Sequence, residues 1–206
     1  VTDEIGETGA AAPVRRGRPG YDREQVLAVA VRLFTEQGYD ATSIADLSQA
    51  LGLTKSALYH HFSSKEELLA LALERALSGL EGALETAVAE QTTATDRLTA
   101  VVRGAVEVLT AAQPHVTLLL RLRGNSPVEL EAMERRRRFD QRISALVREA
   151  QDEGTIRTDI DAGTVTRLVF GMINSVVEWY RPDGRIDRAL LGEDVLTLAL
   201  DGLRPR

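Results

Sequence analysis

The sequence predicts an all-α protein of about nine helices, and three observations carry that expectation. Apolar residues recur at i, i+3, i+4 and i+7 from Val26 to the last segment, and nowhere alternate with polar ones as a half-buried strand requires. Aromatic residues are only 4% of a chain that is 44% hydrophobic, so the apolar content is mostly Leu, Ala and Val, a balance that suits helices. Ser, Thr or Asp opens most periodic segments and Gly or Pro closes several, the punctuation that helices use.

Residues 1–20, rich in Gly, Ala and Pro, read as a flexible basic arm carrying Arg15, Arg16 and Arg18. Asp22 is then an N-cap, with Gln25 placed to complete a capping box. Val26, Val29, Ala30, Leu33 and Phe34 form the inward stripe of a first helix, which Gly38 stops. Ser43 caps a short second helix that turns Ile44, Leu47 and Leu51 inward and ends at Gly52. Thr54 caps a third, from Lys55 to about His61, with Leu58 and Phe62 toward the core. Two short helices joined by Gly52-Leu53-Thr54 make a helix-turn-helix unit.

Ser64-Lys65-Glu66-Glu67 reads as a capping box at the head of a long fourth helix. Its seam runs through Leu69, Leu73, Ala76, Leu77, Leu80, Leu84 and Val88 to a polar break at residues 91–95. Leu98 to Leu109 gives a fifth helix ended before Pro114, and His115 to Leu122 a short sixth. Pro127 opens a seventh that reaches about Glu153, Asp161 an eighth that reaches Tyr180, and Asp187 caps the last, with Leu191, Val195, Leu198 and Leu200. The expected domains are the arm (1–20), the helix-turn-helix unit (21–67) and a helical ligand-binding and dimerisation domain (68–206).

The formal charge of −6 would argue against a nucleic-acid partner if it were evenly spread, but residues 14–20 hold three arginines and no acid. The absence of Cys excludes disulfides, thiolate nucleophiles and Cys-based metal sites. The longest apolar run, Leu68 to Leu73, is far short of a membrane span, and Asp3, Glu4 and Glu7 stand where a secretory signal would be basic and apolar. A soluble cytoplasmic protein with no membrane partner is expected. Three His with no nucleophile or metal motif, and an adjacent His60-His61 pair that cannot share a helix face, leave no catalytic residue, metal or cofactor to expect.

Gly17-Arg18-Pro19, Ala30-Val31-Arg32-Leu33-Phe34, Gly38-Tyr39, Thr42-Ser43-Ile44-Ala45-Asp46-Leu47, Leu51-Gly52-Leu53-Thr54-Lys55 and the run from Ala57 to Leu68 closely resemble the TetR family of bacterial transcriptional regulators. The resemblance covers residues 15 to 70 and implies a homodimeric, DNA-binding repressor on a palindromic operator. Lys55, Ser56 and Ala57 then fall at the start of a recognition helix, where Lys donates to guanine, Ser to either base and Ala meets a thymine methyl. Tyr59 and His60 offer donors further along. Thr42 and Ser43 at a helix start, and Lys65, are placed as phosphate contacts, and Thr54, the cap of the recognition helix, is counted with the DNA-binding residues. Arg15, Arg16 and Arg18 are placed to reach a minor groove.

The eighth helix shows two apolar stripes roughly 120° apart at 100° per residue. Phe170, Ile173, Val177 and Tyr180 make one; Val165, Leu168, Met172, Val176 and Trp179 make the other. The second stripe, with Val195 and Leu198, is the expected dimer interface. Small-molecule effector contacts are expected from His115, Thr117, Arg121, Arg135, Arg136 and Asn174, with Arg135 and Arg136 at the edges of the inward face of their helix. The segment from Phe170 to Gly184 looks similar to regulators of lipid, steroid or aromatic-acid degradation, several of which sense acyl-CoA thioesters. Two alternatives stay open: the Arg135–Arg138 run pairs with Glu129, Glu131, Glu134 and Asp140 on a solvated surface, or the protein binds DNA constitutively without an effector.

Overall fold

The structure, a computed structural model, describes residues 22–205. Arg15, Arg16 and Arg18 lie outside the described residues. Nine helices and no strand occur among the described residues: α1 (Arg23–Gln37), α2 (Ile44–Leu51), α3 (Lys55–His61), α4 (Lys65–Glu90), α5 (Ala94–Ala111), α6 (Gln113–Leu120), α7 (Pro127–Asp152), α8 (Ala162–Trp179) and α9 (Arg188–Leu203). None of the nine is long and apolar enough to cross a membrane.

The starts are set locally. Asp22 and Gln25 form a reciprocal capping box on α1, and Ser43 and Asp46 form one on α2. Thr54, Ser64, Thr93, Ser126 and Asp161 each accept an N–H from three residues on. The box expected at α4 is shifted by one. Ser64 accepts from Glu67 N–H, but the Glu67 carboxylate turns back to the N–H and hydroxyl of Ser63 (2.6 and 2.7 Å). Gly52, at φ 62°, supplies the left-handed stop of α2, and Leu53 N–H returns to Ser48 O at 2.9 Å.

Helix α1 packs on α4, α2 on α1 and α3 on α2, and with the start of α4 they form the head, in whose core Phe34, Leu47, Leu58, Leu68 and Leu69 are buried. The chain has no break at residue 67, because α4 continues as one helix into the body, where it lies along α5. There Gly104 is required: a Cβ would stand 2.7 Å from that of Ala83, so a side chain would push the two helices apart. Helices α7, α8 and α9 pack around α5, and α6 fills the seam between α1, α4 and α8.

Candidate functional site

Helix α3 is the most exposed element of the head. Thr54, Lys55, Ser56, Tyr59 and His60 are exposed along it, Ala57 is half-buried, and Leu58 anchors the opposite side at 1% exposure. The helix contains no acid. Lys55, Ser56, Tyr59 and His60 carry no hydrogen bond or ion pair among the described residues, so their donors are free for base edges or phosphates. Thr54 Oγ1 caps Ala57 N–H at 3.2 Å and stays at the surface.

Three expected phosphate contacts are placed otherwise. Thr42 is 1% exposed, and its hydroxyl donates to Gly38 O at 2.8 Å, which removes it from the surface. Ser43 is exposed, but its hydroxyl and N–H both donate to the Asp46 carboxylate (2.7 and 2.8 Å). These hydrogen bonds hold Asp46 below the usual carboxylate range and put an anion where a phosphate was expected. Lys65 Nζ donates inward to Tyr39 O and Thr42 O, each at 3.0 Å.

In the body, the effector candidates separate. Arg136 and Asn174 line a groove of about 730 Å³ between α7 and α8. Its walls also carry Arg137, Arg148 and Arg167, none of which the sequence put among the effector contacts. A small apolar slot of about 30 Å³ adjoins it, walled by Leu109, Leu119 and the edge-to-face pair Phe139–Phe170 (5.5 Å, 82°). Leu120, Arg136, Asp140, Phe170 and Asn174 border both spaces. Asp140 opens to the groove, but the crowding of its walls raises its carboxyl above the usual range, with Arg136 and Arg167 pulling the other way.

The remaining four effector candidates are held elsewhere by other partners. His115 uses Nδ1 on Ala72 O at 3.0 Å, which docks α6 on α4, and burial lowers its pKa. The Thr117 hydroxyl donates to Gln113 O within its own helix. Arg135 bridges Glu74 and Glu81 of α4 at 2.5 and 2.6 Å. Arg121 reaches into the head, donating to Thr35 O at 3.0 Å. Of the arginine run, Arg137 and Arg138 do pair with Glu134 on the surface.

The expected dimer stripe also divides. Val165, Val176 and Val195 are at most 5% exposed and belong to the subunit's own core, and Met172 is half-buried. Leu168, Trp179 and Leu198 remain exposed at 65%, 47% and 69%, joined by Leu190 at 64%.

A helix-turn-helix head with a free, acid-poor third helix, carried on a helical body with a groove, defines a DNA-binding regulator of transcription. Two family descriptions match the chain: "Bacterial regulatory proteins, tetR family" over residues 26–72 and "Tetracyclin repressor-like, C-terminal domain" over residues 91–203. The chain belongs to the TetR family. Among solved structures, it is 50% identical to a TetR-family member from Streptomyces coelicolor A3 (TM-score 0.82, covering 87% of this chain and 90% of that one). It is 25% identical to the transcriptional repressor KstR2 of Mycolicibacterium smegmatis over 93% of this chain and 95% of that protein. AibR, solved with isovaleryl coenzyme A and operator DNA, shares the fold at 23% identity (TM-score 0.72, covering 85% of this chain and 96% of that one).

Proposed function

We propose that the protein is a homodimeric repressor that sits on a two-fold operator and leaves it when an amphipathic anion, an acyl-CoA or a related acid, fills the groove between α7 and α8. The observation that carries this reading is the joining of an apolar slot to a groove lined by Arg136, Arg137, Arg148 and Arg167. An apolar end suits the slot, and several negative charges suit the guanidinium groups, which bind carboxylate and phosphate by paired hydrogen bonds. A ligand of this chemistry is present with operator DNA in the AibR structure.

A second copy of the chain is supported by the pattern on α8. Its exposed stripe runs Thr164, Leu168, Gly171, Ser175, Trp179, with large side chains at 168 and 179 and small ones at 171 and 175. Presented by two copies, the same patch can cover itself across a two-fold axis, as an isologous contact does. Two heads on one dimer supply the paired half-sites that a single helix-turn-helix cannot read alone.

The test is operator selection from random duplexes, then titration with isovaleryl coenzyme A as the probe. The expected result is an operator bound about 10³-fold or more over random DNA, and release by the probe. Lys55→Ala is expected to cost about 1–3 kcal/mol on the preferred operator and to relax discrimination. Arg136→Ala with Arg148→Ala should abolish release and leave operator affinity intact. No preference over random duplex removes the DNA-reading assignment. Operator binding that no such anion affects favours a constitutive regulator instead.

A further inference from the structure

The turn between α1 and α2 is sealed from two sides. From within, Thr42 donates its hydroxyl to Gly38 O and its N–H to Gly38 O and Tyr39 O (3.2 Å each). From without, Lys65 donates to Tyr39 O and Thr42 O, and its ammonium lies 4.2 Å from the Tyr39 ring centroid. Tyr39 in turn packs edge-on against Phe34 at 5.1 Å. Lys65 is the first residue of α4, where the helix dipole disfavours a cation. The local preference is overridden by two charge-assisted hydrogen bonds, which occupy two of the three ammonium donors.

Ser43, the next residue after Thr42, caps α2, and α2 leads through the Gly52 turn into α3. Fixing Thr42 against Lys65 therefore fixes the origin of α2 and α3 relative to α4. We propose that Lys65 is a positioning residue for base reading, the pin that sets α3 on α4, and not a phosphate contact. This rests on the DNA-reading assignment of α3 given above.

The experiment compares the full-length wild type, Lys65→Met and Lys65→Arg on the selected operator and on random duplex across a salt series, with folding checked by circular dichroism. For Lys65→Met the expected loss on the operator is about 10- to 100-fold, the size of one misread base pair. Random-duplex affinity and the salt slope should stay at wild-type values, and amide exchange over residues 42–47 should quicken in the free protein. If Lys65→Met does not fold, Lys65→Arg decides. It should lose operator affinity but not random-duplex affinity, whereas a phosphate contact would tolerate arginine on both. Equal losses on both duplexes for Lys65→Met, with a slope lowered by about one unit, mark a phosphate contact and overturn the proposal. Unchanged operator affinity overturns it too. A wild type with no operator preference overturns it together with the DNA-reading assignment, and is told apart by that control.

Discussion

Asp140 places a carboxyl among the groove arginines, so it competes with the anion that the groove is proposed to hold. Its raised pKa fixes the sign of the effect. As pH falls through the raised value the carboxyl takes up a proton and its repulsion of the ligand vanishes. Binding of isovaleryl coenzyme A should therefore tighten toward acid pH, and Asp140→Asn should bind more tightly at neutral pH with a flatter profile, measured by calorimetry across a pH series. Weaker binding by Asp140→Asn would mean that the carboxyl holds the ligand instead. The same site shows what the sequence could and could not reveal about single residues. Arg136 was legible as an edge residue from helix-face arithmetic, and Asn174 joins it in the groove. The partners of Arg121 and Arg135 were not legible, because they are 86, 54 and 61 residues away in the chain and no periodicity encodes such pairs.

At the scale of the element, helix starts were the most legible feature, since a cap and its target lie two or three residues apart. Asp22, Ser43, Thr54, Ser64, Asp161 and Asp187 all cap as their positions indicate. The faces of α8 were half legible. A 100° wheel separates two stripes, but it cannot tell that Val165 and Val176 are buried within the subunit while Leu168 and Trp179 stay bare. The bare set leads to a prediction for the helix. Leu168→Glu with Trp179→Glu places like charges face to face across the proposed two-fold and should yield a folded monomer by analytical ultracentrifugation. Because neither side chain belongs to the core, helix content should be unchanged. A variant that remains dimeric would place the contact elsewhere.

Across the whole molecule, head and body meet over a poorly filled seam. A cavity of about 320 Å³ lies between the end of α1, the turn at residues 38–41 and the α6–α7 connection. Two polar links span this region: Arg121 to Thr35 O, and Asn125 Nδ2 to Asp40 at 2.8 Å. Arg121 also stands 3.9 Å from Glu178 of α8, and its neighbour Leu120 borders the groove. Removing both links, by Arg121→Ala with Asn125→Ala, should leave probe and operator affinities near wild type when each is measured alone. Their mutual antagonism, expected at about 5- to 150-fold in the wild type, should shrink toward unity. Full antagonism in the variant would show that the signal passes by another path. One such path is already a single object: α4, 26 residues without a cap or proline inside it, is a rod about 39 Å long with its first turn in the head and its last beside α5. Tilting that rod by about 5° about its far end swings the head through about 3 Å by simple leverage, a misfit for paired half-sites set about 34 Å apart on the duplex.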